Sequence, residues 1–418
     1  MTPRERVRAV LDGKIPDRVP IDFGSQSASG VMTIAYNKLR AKLGIKGNLA
    51  KQFRNVMQFA WVEKEVRDKF HIDVIDAGQN FLKLDDDWKQ WTLNDGSKCL
   101  IPKYVPIKRE TDGTVNLYNK DYTKVLGKQP KTSLYVDQVF WPYGELDAIP
   151  QDFKDEDLLD YSWVVSSQPP WNLNIFNDDQ YKLFCDGIKE LHETTNLSIM
   201  LVVGCGLFEP LTFIRGMEKG LMDVVADKKG TKRLVDKLTE NNIIFLDKIL
   251  KGVGNYVDSI EFGDDLGWTG GPLISPEIYR ELFRDSHKKA NDFVHENSNT
   301  KIFLHCCGSI YKLIPDLIEA NFDILNPIQT TAVDMEPEKL KKEFGKDIIF
   351  WGGCCDVKRV LPLGTPKDVE EDVKRKMAIL GEDGGLIFAP EHNIMADIVP
   401  ENVIAMLEAA YKYGKYEG

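Results

Sequence analysis

The chain has 418 residues, enough for one large barrel with insertions or for two ordinary domains, and 43% hydrophobic with 28% charged residues excludes a disordered chain. A formal net charge of −11 and a pI near 5.2 argue against nucleic acid or an anionic membrane surface as the main partner. They leave a small-molecule substrate open, because one pocket can differ from the average surface.

Residues 1–17 are expected to form a short helix leading into the fold. They contain no apolar core of a signal peptide, and no later stretch reaches the roughly 18 apolar residues of a membrane span. Seven cysteines include the adjacent pairs Cys306-Cys307 and Cys354-Cys355. Neighbouring cysteines rarely bridge each other, so free or metal-bound thiols in a reducing cytoplasm are expected. The sequence sets no oligomeric state.

Eight short apolar runs follow in chain order: 18–23 (RVPIDF), 72–76 (IDVID), 198–203 (SIMLVV), 257–262 (VDSIEF), 301–305 (KIFLH), 322–326 (FDILN), 347–351 (DIIFW) and 385–389 (GLIFA). Each is rich in β-branched or aromatic residues, as a strand buried on both faces should be. Most intervals carry amphipathic helices; 276–297 is the clearest, opened by Ser275-Pro276-Glu277 as N-cap, first helical residue and first-turn acid. Strands alternating with helices predict an α/β fold, a single (β/α)8 TIM barrel spanning 1–418. The interval 84–143 differs. Its hairpin signals at Asn94-Asp95-Gly96 and Asp112-Gly113 predict a β-rich insertion after the second strand. Its aromatics are expected to pack mainly on each other, with the alternative that they roof a pocket.

Barrel active sites lie at the C-terminal ends of the strands. Those ends hold Asp22 to Gln26, Asp76 to Gln79, Gly204-Cys205-Gly206, Glu261 with Asp264 and Asp265, His305 to Cys307, Asn326 with Gln329, Gly353 to Asp356, and Glu391-His392-Asn393. Two of the six histidines and five of the seven cysteines fall there. His305 and Cys307, one residue apart before Gly308, can face one cavity if the turn twists, and imidazole with thiolate favours zinc over magnesium or calcium. A third ligand is needed, and His392, Cys354, Cys355, Glu261, Asp264 and Asp265 are candidates. Closely spaced acids raise one another's pKa, so one of Glu261, Asp264 and Asp265 is expected to serve as a general acid or base, and one to cap the following segment. Gln26, Asp76, Gln79, Asn326 and Gln329 are expected to bind substrate. Cys205 reads equally as a substrate contact or as packing. His71, His192, His287 and His295 lie in helical or pre-strand stretches and are expected to be structural. No phosphate-binding loop or dinucleotide fingerprint is present.

Several phrases together resemble the uroporphyrinogen decarboxylase superfamily: Pro3-Arg4-Glu5-Arg6-Val7 through Arg18-Val19-Pro20, Glu261 to Gly267, His305 to Ser309, Asp323 to Pro327, and Pro400-Glu401-Asn402. The likeness covers nearly the whole chain apart from 84–143. True decarboxylases of that superfamily are metal-free and clamp substrate carboxylates with an N-terminal arginine-containing stretch. This chain has Gly24-Ser25-Gln26-Ser27-Ala28-Ser29 there, without arginine. The other branch, the corrinoid-linked methyltransferases, binds zinc through His-x-Cys and a later Cys. His305 and Cys307 match the first two positions. The later Cys position falls at His392, in a phrase that reads Ala-Pro-Gly-Cys in coenzyme M-type members. The resemblance therefore implies zinc held by His305, Cys307 and His392, with Cys306 as an inward-facing neighbour. It also implies a corrinoid on a partner protein and methyl transfer to or from a small methylated substrate, with a methoxylated aromatic as one candidate. The alternatives are a decarboxylase of the first branch and, from another class, a non-catalytic corrinoid-binding barrel.

Overall fold

The computed structural model describes residues 1–155, 158 and 168–416. Seven parallel strands form one curled sheet. In chain order they are Val74–Asp76, Ser198–Gly204, Ser259–Gly263, Lys301–His305, Ile324–Asn326, Ile349–Trp351 and Leu386–Ile387, each paired with the next. The eighth stave is the first in sequence. Ile21 bridges Phe388 in parallel, Asp22 N–H donates to the Phe388 carbonyl, and Asp73 N–H donates to the Ile21 carbonyl, each at 2.8 Å. This segment joins the first and last strands of the sheet, giving a TIM-barrel-like fold.

The run 18–23, expected to be a full strand, is thus reduced to a bridge, and the reason is local. Pro20 has no N–H to give a ladder, and Ile21 N–H donates to the Asp73 carboxylate at 2.7 Å instead of to a neighbouring carbonyl. Asp73 in turn holds Arg6 and Arg18 at 2.7 Å each, all three side chains being buried. The Asp73 carboxylate of this ion cluster takes the Ile21 N–H that a strand ladder would use.

Successive strand residues point to opposite faces, and the core divides accordingly. Ile75, Leu201, Ile260, Phe262, Ile302, Leu304, Leu325 and Phe350 pack in the large cluster with the helices. Val74, Met200, Phe303, Ile324, Trp351 and Ile387 form a second cluster with Val7, Val10 and Leu11 of the helix Pro3–Leu11. The N-terminal helix, capped by Thr2, therefore seals the bottom of the barrel. Two residues past Val74, Phe303 and Ile324, on that same inner face, stand Asp76, His305 and Asn326, and Glu261 lies on the inner face of the Ser259–Gly263 strand. The interior changes from an apolar plug to a polar layer within one pleat.

Residues 276–297 do not form one regular helix: Pro276–Tyr279 and Asp285–Asn297 are α-helical and Arg280–Arg284 makes a π-turn between them, an insertion often found near functional sites. Between residues 80 and 143 lie an antiparallel pair, Trp88–Thr92 with Lys98–Pro102, and a four-stranded sheet from Ile107–Arg109, Val115–Tyr118, Val125–Gln129 and Asp137–Gln138. This segment rests on the helix Phe208–Arg215 and on the loop after the last strand: Gln138 donates to the Phe213 carbonyl at 2.8 Å and Tyr135 O–H to Met395 Sδ at 2.8 Å. Among the described residues no helix is long and apolar enough to cross a membrane.

Candidate metal centre and the acidic cleft beside it

The Lys301–His305 strand ends in a turn whose shape depends on Gly308, at φ +90°, where a Cβ would come within 2.6 Å of the Gly267 and Trp268 backbone. The turn sends Cys306 inward, where its sulfur accepts Leu266 N–H at 3.3 Å, and returns Cys307 to the barrel mouth. Cys307 Sγ lies 3.3 Å from His305 Nε2 and 3.2 Å from His392 Nε2. One ligand atom from each of the three residues lies within 4.8 Å of the others.

Neighbouring amides prepare both imidazoles. Asn326 Nδ2 donates to the Trp351 carbonyl at 2.7 Å, which turns its Oδ1 toward His305 Nδ1, 3.0 Å away. An amide oxygen only accepts, so His305 carries its proton on Nδ1 and leaves a lone pair on Nε2. Asn393 Oδ1 does the same at His392 Nδ1. Burial, then the neighbouring His305, lowers the His392 pKa to about 4, so this ring is neutral near pH 7. Burial, then Asp265, holds the Cys307 thiol well above its ordinary value, a preference that a bound dication reverses. Two imidazoles, each oriented by a neighbouring amide, and one sulfur fit a borderline-soft ion of the zinc type.

The other expected site residues separate into those the fold brings here and those it employs elsewhere. Asp265 Oδ1 accepts Cys307 N–H at 2.7 Å and lies 3.9 Å from His305 Nε2, so it shares the centre. Asp264 does not. It is fully buried and accepts the N–H groups of Leu207 (3.2 Å), Phe208 (3.1 Å) and Glu209 (2.5 Å), and His287 Nε2 lies 3.0 Å away. It caps the helix Phe208–Arg215 from a distant strand, which corrects the expectation of a catalytic acid there. His287, backed by Tyr279 O–H at 3.0 Å, belongs to that cap.

Glu261 stands in the polar layer with its Oε2 buried and without a hydrogen-bond partner among the described residues. Burial is the main cause that pushes its pKa up to about 7, opposed by Arg54 and His305 and reinforced by Asp76 and Asp22. Asp76 is paired with the buried Arg54 and accepts Gly78 N–H at 2.6 Å.

Several residues expected to contact substrate are hydrogen-bonded within the protein. Both amide groups of Asn326 are used as described. Gln329 Oε1 accepts Gly308 N–H at 2.9 Å, bracing the cysteine turn. Gln26 accepts Ala28 N–H at 2.5 Å and donates to Asp22 at 3.4 Å, folded on its own loop, and Gln79 accepts from Arg67 at 3.0 Å. Cys205 packs in the core and burial raises its thiol pKa.

Three residues at the mouth were not anticipated. Arg54 lies in the short strand Gln52–Arg54, outside any barrel strand end, where no sequence rule would have sought it. Glu209 sits in the first turn of the helix capped by Asp264, and a Cβ on Gly263 would come within 3.7 Å of its carboxylate. Trp268 is exposed on the hairpin Gly267–Trp268 and Gly271–Pro272. Glu209, Asp265, Trp268, Phe213, Met217 and Leu273 are among the residues lining a cleft of about 260 Å³.

Comparison with known proteins agrees with this architecture. A curated uroporphyrinogen decarboxylase from Pseudoalteromonas atlantica is 22% identical over 197 residues, 45% of this chain and half the length of that relative. A solved methyltransferase from Methanosarcina mazei superposes with a TM-score of 0.57 at 15% identity, covering 99% of both chains, which speaks for the fold. Residues 170–413 match the family described as uroporphyrinogen decarboxylase (URO-D), and the chain belongs to that family.

Proposed function

We propose that this chain is a zinc-dependent methyltransferase that moves a methyl group between a small methylated substrate and a corrinoid carried by a partner protein. The observation that carries this reading is the cluster of His305, Cys307 and His392, with Asn326 and Asn393 presenting both imidazoles in the ligating tautomer. His305, Cys307 and His392 would hold the zinc, which when bound would supply Lewis acidity to an ether oxygen or a sulfur and so make the demethylated fragment a better leaving group.

The chain's own residues supply the rest. Asp265 anchors the Cys307 backbone beside the substrate position. Glu261, with a pKa near 7 and one oxygen without a partner among the described residues, is equipped to hold the proton exchanged with the leaving heteroatom. The acidic mouth disfavours the decarboxylase alternative, because a polycarboxylate would meet acids where it needs a clamp.

Metal content and turnover together test the proposal. About one zinc per chain is expected, with methyl transfer from a donor panel, methoxylated aromatics included, only when a reduced corrinoid protein is supplied. Full activity after chelation and removal of zinc refutes it.

A further inference from the structure

We propose that Met395 and Tyr135 are positioning residues for the metal centre: the Met395 sulfur, held by Tyr135 of the inserted β segment, orients the Asn393 amide and through it sets which nitrogen of His392 carries the proton. The inference rests on the reading of His305, Cys307 and His392 as metal ligands, and it gives the insertion a part in that centre.

The two imidazoles are prepared in parallel but by different means. At His305 the Asn326 amide is locked by a backbone carbonyl, that of Trp351, 2.7 Å from Nδ2. At His392 the corresponding partner of Asn393 Nδ2 is the thioether sulfur of Met395, at 3.3 Å. A thioether sulfur has lone pairs and no hydrogen, so it accepts the amide N–H and has nothing to offer the amide oxygen. The oxygen is thereby turned to His392 Nδ1. The ring then carries its proton on Nδ1, and Nε2 keeps its lone pair 3.2 Å from Cys307 Sγ. With the amide reversed, Nδ2 would meet Nδ1, the proton would move to Nε2, and that nitrogen could not ligate.

Sulfur is a weak acceptor, here on a side chain with three rotatable bonds. It can hold an amide only if it is itself held. Tyr135 O–H donates to Met395 Sδ at 2.8 Å, across 260 residues of chain. The Met395 side chain also packs against a small core that includes Met32, Phe59, Leu93 and Ile101, the last two from the insertion. The backbone is fixed on either side. Ile394 N–H donates to the Gly30 carbonyl at 2.8 Å, and Lys38 Nζ to the Ala396 carbonyl at 2.8 Å. A chain of contacts therefore runs from the inserted segment through a sulfur and an amide to a ligand.

Nitrogen-15 NMR of histidine-labelled, metal-free protein reads the tautomer directly, with the His392 signals assigned by their loss in His392→Gln. The wild-type ring is expected to carry its proton on Nδ1. Met395→Leu nearly conserves volume and should leave the fold intact. It should shift His392 toward the Nε2–H form and weaken zinc about tenfold in a chelator competition. Tyr135→Phe keeps the ring and should act in the same direction, by about threefold. Asn393→Asp is the control, because a carboxylate accepts on both oxygens and has no reversed orientation. In that background Met395→Leu should change zinc affinity by less than about twofold. An unchanged His392 tautomer in Met395→Leu, or an equal loss of zinc affinity with and without Asn393→Asp, overturns the proposal. An effect of Met395→Leu with none from Tyr135→Phe removes Tyr135 from it. A tautomer governed by Met395 in a chain that binds no zinc sinks only the metal reading, and bound zinc beside a tautomer indifferent to Met395→Leu sinks only this inference.

Discussion

Two turns of this barrel carry adjacent cysteines, and they do opposite things. After the Lys301–His305 strand, Cys306 is buried and Cys307 faces His305 and His392. After the Ile349–Trp351 strand, Cys354 and Cys355 are both fully buried, and burial lifts their thiols to about 12 and well above the ordinary value respectively. Both turns use glycine in the left-handed region, Gly308 at φ +90° in the first, Gly352 at +105° and Gly353 at +80° in the second. What differs is glycine's place: following the cysteines it returns the second sulfur to the mouth, and preceding them it buries both. The second turn still serves the centre, because the Cys355 carbonyl accepts Glu391 N–H at 3.1 Å, one residue before His392. One turn carries Cys307, and the other holds the strand end that carries His392.

That division can be broken by mutation. The largest effect should come from Cys307→Ala, with zinc falling from about one per chain to below about a tenth by elemental analysis, while Cys355→Ala retains it. Equal loss in both would make the two turns equivalent and end the comparison. Next is Lys376→Met. Lys376 is buried, 2.9 Å from Glu391 and 3.1 Å from Asp372, and Thr331 O–H donates to Glu391 at 2.9 Å. Removing the cation strands two acids beneath His392. Urea unfolding should show a loss of about 3–5 kcal/mol, with weaker zinc binding.

The polar layer gives a pH signature. Glu261 has a folded pKa of about 7 against an ordinary 4.5. The folded chain therefore binds the extra proton between those values, so this residue's stability contribution is present below about 4.5 and lost as pH rises to about 7. Metal-free protein should lose on the order of 2–3 kcal/mol across that window, and Glu261→Gln should flatten the curve. An unchanged slope in the variant would assign the acid elsewhere. Smaller again is Asn326→Ala, which frees the His305 tautomer and should weaken zinc about 10- to 100-fold in a chelator competition. Smallest is Cys354→Ala, expected to cost about 1 kcal/mol of stability with zinc affinity unchanged.

The sequence was most legible where pattern and position coincide. Short apolar runs rich in β-branched and aromatic residues identified the seven strands of the sheet within about two residues at each end, because that signal is local. The strand-end rule then led to His305 and Cys307. It failed for Asp264, whose carboxylate lies beside Asp265 in sequence yet caps a helix from another strand. It also failed for Gln26, Gln79 and Asn326, polar residues whose hydrogen bonds go to the protein itself. The segment 18–23 reads as a strand by composition, but Asp73 takes its N–H and Pro20 has none to give.

By itself the sequence determined the alternation of strands and helices, the N-terminal helix, and a His-x-Cys-Gly turn with ligand chemistry, since these follow from residue type and local spacing. Only the tertiary structure decided that His392, 85 residues beyond Cys307, comes within 3.2 Å of its sulfur. It also brought Arg54 and Glu209 to the mouth and assigned Asp264 to a helix cap. Partners of that kind are chosen by barrel closure, which brings distant strand ends together and which no local spacing encodes.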